Sequence, residues 1–253
     1  MKITKAMFEK LEYDTTARTT TSTISDVVSR DRIVQPTIMF VFNVSDLDAA
    51  AYHLTQSMQN PFADNAVVTV FVQESILEDF TAKVQAKMIS YQPPVDQREK
   101  YFKVLDRIRQ FSAKTIKPST DMSTEDTAAG VGPIIVCDFT HEKLGLNMGF
   151  ITTLHAFRTT KEAISLSSKQ GVDFNNASIW TENHARAYEI VEALRCSYYF
   201  INCFNISVDC LKAHIKNKSS FATMDKGYHF ETIVASGGTQ KSIVFPYGTI
   251  FAN

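Results

Sequence analysis

No stretch of these 253 residues approaches the roughly 20 consecutive apolar residues a membrane-spanning helix needs. The N-terminus carries Lys2, Lys5, Glu9, Lys10 and Glu12, with no apolar run resembling a secretory leader. An excess of either charge is also missing: 26 Lys and Arg stand against 27 Asp and Glu, a formal net charge of -1. That balance argues against a mainly electrostatic hold on nucleic acid or on an anionic membrane. The chain has neither Gly-x-Gly-x-x-Gly nor Gly-x-x-x-x-Gly-Lys, the loops that cradle phosphates, and no Gly-x-Ser-x-Gly elbow. Its 6 histidines include no His-x-x-x-His pair, and its 4 cysteines no Cys-x-x-Cys, so neither a metal nor a cofactor is expected. These absences point to a cytoplasmic protein with reduced thiols, whose Asn-x-Ser sequons at Asn43, Asn176, Asn205 and Asn217 are chance matches.

What is present changes character at residue 35. Residues 1–34 are rich in Thr, Ser and charge, with too little apolar side chain for a core, and read as an extended or partly ordered arm. Residues 35–253 read as a single α/β domain. Thr37-Ile-Met-Phe-Val-Phe42 is a short apolar run suited to a strand buried on both faces. Ser45 with Asp48 makes a capping-box-like helix start, followed by Leu47, Ala50, Ala51, Leu54 and Met58 on one face. A second run, Val67-Val-Thr-Val-Phe-Val72, precedes a helix starting near Ser75 with Leu77, Phe80, Val84 and Met88 inward. A helix over 98–111, with Tyr101, Leu105 and Ile108 inward, leads to a polar loop over 117–132. Strands then fall at 134–139, 150–157, 177–180 and 198–202, with helices capped by Thr159 and Glu162 and over 183–194. The alternation predicts a mostly parallel sheet flanked by helices. Only 230–235 and 242–247, around Ser236-Gly237-Gly238, break it, as a C-terminal β-hairpin.

Cys196, Cys203 and Cys210 lie seven apart, but the segment should pass from helix to strand to loop, which scatters them, and packing thiols are the simpler reading. Tyr198, Tyr199, Phe200 and Phe204 alternate across a strand and read as core rather than as a stacking platform. Arg98, Lys100, Lys103, Asp106, Arg107 and Arg109 read as the solvated face of a helix.

Five segments, in order, carry a resemblance. They begin with residues 35–50 and with Val70-Phe-Val-Gln-Glu-Ser-Ile-Leu-Glu-Asp-Phe80. Residues 149–166 follow, with Phe157-Arg-Thr159 and Glu162-Ala-Ile164, and then Ala177-Ser-Ile-Trp-Thr-Glu182 and Tyr199-Phe-Ile-Asn-Cys-Phe-Asn205. Together they resemble the catalytic domain of the aldehyde dehydrogenases. Gly227-Tyr-His-Phe-Glu-Thr-Ile and Phe245-Pro-Tyr-Gly-Thr-Ile250 are similar to the ending of an uncharacterised insect family grouped with that superfamily. The resemblance implies an aldehyde dehydrogenase catalytic-domain-like α/β fold and, as in the relatives, assembly through this domain.

The same resemblance implies where catalysis should reside, and there the chain departs. Aldehyde dehydrogenases attack the carbonyl with a cysteine thiolate and pass hydride to a nicotinamide. Ungapped alignment from Val70 places Asp64 at that cysteine, and a carboxylate gives no adduct that is readily oxidised. Alignment at Pro36 places Arg30 at the glutamate general base, and a guanidinium cannot accept a proton. The glutamate of the Glu-x-Phe-Gly-Pro motif falls on Leu146, with only Gly149 of the motif kept. The family's dinucleotide-binding domain precedes the catalytic one, whereas about 34 residues precede the match here. The expectation is a catalytically inactive pseudoenzyme acting as a structural or binding protein, with a protein partner or a homo-oligomer. The alternative is a small-molecule-binding protein, or an enzyme independent of nicotinamide, using the old substrate cleft.

Overall fold

The structure, a computed structural model, describes residues 35–60, 63, 65–89, 95–118, 132–144, 151–234 and 238–247. All belong to the compact unit Asp31–Asn253. The arm expected over 1–34 lies outside them, as do Arg30, Asp64, Leu146, Gly149 and the Ser236-Gly237 turn.

The first apolar run forms strand β1 (Thr37–Val41), every residue buried, and the second forms β2 (Val67–Gln73) beside it, parallel. Helix α1 (Leu47–Gln59) joins them. Its N-cap is Asp46, whose Oδ1 accepts from the Ala49 N–H at 2.9 Å; Ser45 instead donates back to the Phe42 carbonyl at 2.7 Å. The capping box expected at Ser45 is thus one residue early, because the serine is used to turn the chain out of the strand. After a single 3-10 turn at Glu74–Ile76 comes α2 (Leu77–Lys87), which buries Phe80 and Val84, with Met88 just beyond its end. Helix α3 (Val95–Gln110) buries Tyr101 and Ile108 and exposes Lys103, Asp106, Arg107 and Arg109.

Strand β3 (Thr115–Ile116) was not foreseen and pairs antiparallel with β4 (Ile134–Cys137). A short helix, α4 (His141–Leu144), precedes β5 (Ile151–Phe157). Helix α5 (Thr160–Ser167) is capped as expected by Thr159, which accepts from the Glu162 N–H at 3.2 Å; the Glu162 carboxylate accepts from the Arg158 N–H at 2.8 Å. Strand β6 (Asn176–Trp180), helix α6 (His184–Ala193) with Asn183 as its cap, and strand β7 (Tyr198–Ile201) complete the parallel core. Past a 3-10 turn and α7 (Lys212–Lys216), the chain ends in β8 (Phe221–Asp225), β9 (Tyr228–Val234) and β10 (Gln240–Pro246).

The ten described strands form one sheet in the order β3-β4-β5-β2-β1-β6-β7-β10-β9-β8. Alternation along β1 sends Met39 and Val41 to the face covered by α1 and α2, and Ile38 and Phe40 to the face covered by α5 and α6. Fully buried Phe40 stacks on Phe71 at 5.2 Å; truncating such a ring to alanine costs about 3–5 kcal/mol. The expected hairpin exists, as β9 and β10, but it is not an edge. β10 runs parallel to β7 on one side, and β8 covers β9 on the other. The turn at Lys226 and Gly227 gave no apolar alternation to announce β8. No helix among the described residues is long and apolar enough to cross a membrane.

Candidate functional site

The three positions singled out in the sequence each precede a strand: Arg30 precedes β1, Asp64 precedes β2 and Leu146 precedes β5. Those strands are consecutive and parallel in the sheet, β5-β2-β1, so their first residues share one edge. Arg30, Asp64 and Leu146 themselves lie outside the described residues. The candidate site is therefore built from what surrounds the three strand starts.

Strand β2 enters this edge through a bulge. Thr37 pairs with Val67 and the next residue, Ile38, with Thr69, so Val68 is the extra residue. A bulge leaves backbone groups without ladder partners, and bulges are common beside functional sites. Here side chains take them up. The Val67 N–H donates to Ser57 Oγ at 2.7 Å, and the Val67 carbonyl accepts from Thr152 Oγ1 at 3.2 Å. The Val68 carbonyl accepts from His141 Nε2 at 2.6 Å; since a carbonyl only accepts, that nitrogen carries the proton. Thr153 Oγ1 lies 3.0 Å from Thr69 Oγ1. Ser57, Thr69, His141, Thr152 and Thr153 are all buried, forming a polar seam inside an otherwise apolar sheet.

The start of β1 is held in the same way. Thr37 donates from its backbone N–H to the Ala66 carbonyl at 2.9 Å and from Oγ1 to the Asn65 carbonyl at 2.7 Å. Asn176 on β6 donates from Nδ2 to the Gln35 carbonyl at 3.0 Å, and the side chains of Asn65 and Asn205 meet across the adjoining loops. Beside the seam, His155 is buried against Phe71, ring centroids 5.2 Å apart. Burial lowers its pKa against the opposing pull of Asp138 and the nearby Gln170 side chain. His155 Nε2 and Gln170 Oε1 are buried without a hydrogen-bond partner among the described residues.

All four cysteines are free thiols. Cys137, Cys196 and Cys203 are buried and Cys210 is exposed. Burial raises the pKa of each thiol: Cys196 is pushed up to about 12, Cys203 and Cys137 are raised, and at Cys210 the nearby Asp225 and Asp209 add to the effect. A reactive thiolate needs the opposite shift. Cys196, which lies just before β7 at the edge shared by the strand starts, is packed in the core with Tyr199 and Ile190. The aromatic cluster is largely packing: Tyr199 and Phe204 are buried on different faces, and Phe200 packs under β9 and β10. No group of three or more His, Cys, Asp or Glu with metal-ligand geometry occurs among the described residues. Nothing local along the chain announces the bulge, which depends on the pairing of two strands. The adjacent Thr152-Thr153, polar residues inside a strand buried on both faces, was the one available hint.

About 70% of this chain superposes on enzymes of one class. A lactaldehyde dehydrogenase from Escherichia coli superposes with a TM-score of 0.55 at 20% identity, over 70% of this chain and 40% of that one. An aldehyde dehydrogenase from Pseudomonas aeruginosa gives 0.56 at 19% identity, over 70% and 39%. An NAD-dependent aldehyde dehydrogenase from Sinorhizobium meliloti gives 0.56 at 19%, over 70% and 38%. The chain thus has an aldehyde dehydrogenase-like catalytic-domain fold and spans about two fifths of those proteins; identity this low carries the fold alone. A family model described as protein of unknown function (DUF1487) matches residues 32–251, and the chain belongs to that family. No curated protein matches the sequence.

Proposed function

We propose that this chain is a non-catalytic member of the aldehyde dehydrogenase-like fold, a cytoplasmic protein that works by binding other protein chains. The observation carrying this reading is the state of its sulfur: every cysteine has its thiol pKa raised, and three of the four are buried. With Asp64 aligned to the nucleophile and Arg30 to the general base, no group is left to form or break a thiohemiacetal. The seam around Val68 supports the same reading, since it holds the old strand entry by internal hydrogen bonds rather than leaving donors for a substrate. The narrower likeness to an insect family belongs to this proposal as well.

The test is direct. Purified protein incubated with aliphatic and aromatic aldehydes and either nicotinamide dinucleotide should give no reduced cofactor above the blank. Turnover that disappears in Asp64→Asn or in a cysteine-free variant would overturn the reading. A small-molecule-binding role has one observation in its favour, the buried His155 Nε2 and Gln170 Oε1, each without a hydrogen-bond partner among the described residues. Stabilisation by an aldehyde or carboxylate ligand that is lost in Gln170→Leu would favour it instead.

A further inference from the structure

We propose that β8 is the docking edge for a second copy of this chain, the two β8 strands pairing antiparallel about a two-fold axis at Thr223 and joining two sheets into one. The inference rests on the binding role proposed above in that it names the partner. It is independent of whether the chain catalyses anything.

Among the described residues the sheet has two outer strands, and they differ in kind. β3 is only two residues long, and brevity is itself a guard against edge pairing. β8 is five residues long, Phe-Ala-Thr-Met-Asp, and keeps an unbroken register with β9 from Phe221↔Thr232 to Asp225↔Tyr228. It has no proline, no lysine and no bulge, the devices that blunt an edge. Ala222 and Met224 are exposed, Met224 by 63%.

The direction of the free backbone groups follows from the turn. Lys226 (φ 48°) and Gly227 (φ 86°) form a two-residue loop with both φ positive, the I′ hairpin turn. The residues flanking such a loop are a hydrogen-bonded pair, so bonding to β9 alternates through Asp225, Thr223 and Phe221. The N–H and C=O of Ala222 and Met224 therefore point outward. The same alternation is visible across the hairpin, where the Ser242 N–H turns away from β9 and donates to the Ser197 carbonyl at 2.9 Å.

An antiparallel partner centred on Thr223 sets Ala222 of each copy opposite Met224 of the other. Each outward N–H then meets an outward carbonyl, and both residues of both strands are used. Sliding the partner by two residues brings one of the two onto the turn or the preceding loop and leaves part of the edge unpaired. The match is one of charge as well as shape. Alternating partial charges along the edge meet their opposites, and the strand's one charged side chain, Asp225, falls opposite Phe221 rather than its own equivalent. On the exposed face the small Ala222 leaves room for the long Met224 of the other copy, and on the opposite face Thr223 lies beside its own counterpart. A two-fold contact must be self-complementary in this way.

Sedimentation and light scattering of the full chain should give twice the chain mass at micromolar concentration. Met224→Pro removes an outward donor at a position whose N–H β9 does not use, and should raise the dissociation constant by at least about ten-fold with the circular dichroism unchanged. Thr223→Cys, in a Cys210→Ser background, should give a covalent dimer under mild oxidation, because a non-hydrogen-bonded antiparallel pair has the spacing of a disulfide. Phe221→Cys in the same background should not. A wild-type monomer at all concentrations, or a dimer that cross-links equally at both positions, would overturn the proposal. Either result leaves the turnover assays, and the non-catalytic reading, untouched.

Discussion

His141 donates from Nε2 to the carbonyl of Val68 at 2.6 Å, so a side chain from the short helix after β4 fastens the bulged residue of β2. Both groups are buried, and that determines the consequence of losing the bond. Truncating His141 leaves the long 3.5 Å approach of Thr153 Oγ1 as the remaining side-chain donor to the Val68 carbonyl. A buried acceptor deprived of its donor costs about 1–3 kcal/mol. His141→Ala should therefore lower the urea midpoint by that equivalent, and His141→Gln, which keeps a donor, should recover part of it. Equal midpoints for wild type and His141→Ala would show that the bulge is held by packing alone.

The thiols give a second prediction, aimed at the proposed loss of chemistry. In the native protein, Cys210 alone should react with a water-soluble alkylating reagent. It should react more slowly than free cysteine at pH near about 8, because its pKa is raised by burial and by Asp225 and Asp209. Cys137, Cys196 and Cys203 should be labelled only in denaturant. Mass spectrometry after brief labelling settles the order. Rapid native labelling of Cys196, pushed up to about 12 by its surroundings, would contradict the packing described here.

The parallel core was legible because its causes are local. Unbroken apolar runs such as 37–42 and 67–72 are what strands covered on both faces require, and helix starts at Thr159 and Asn183 carry their own capping atoms. Ser45 misled because serine next to a strand end competes for the strand's last carbonyl before it can cap the helix. β8 was missed because its partner is β9, and Phe221-Ala-Thr-Met-Asp is too short and mixed to announce a strand without that partner. In sequence the candidate site is three separate positions, all outside the described residues. That the strands behind Arg30, Asp64 and Leu146 lie side by side is a property of strand order, which periodicity does not encode. The seam at Val68 depends on side chains from four separate segments, and no window along the chain contains it.

Acid should destabilise this protein before its carboxylates titrate. Burial lowers the pKa of His53, whose ring is tilted against Trp180 with centroids 5.1 Å apart, and likewise those of His155 and His184. The unfolded chain takes up these protons near the ordinary value of 6.5, while the folded chain resists until lower pH. Between those two limits the unfolded state binds more protons, so unfolding free energy rises with pH, is fully present above about 6.5 and is lost as pH falls through the window. Urea midpoints, followed by the fluorescence of the single tryptophan, should thus decline steadily from pH about 7.5 to about 5.5. His155→Phe keeps an aromatic ring against Phe71 while removing the buried titrating nitrogen, and should flatten part of that decline. A midpoint that is level across the range, or that rises on acidification, would mean that these imidazoles are paired with acceptors and not merely desolvated.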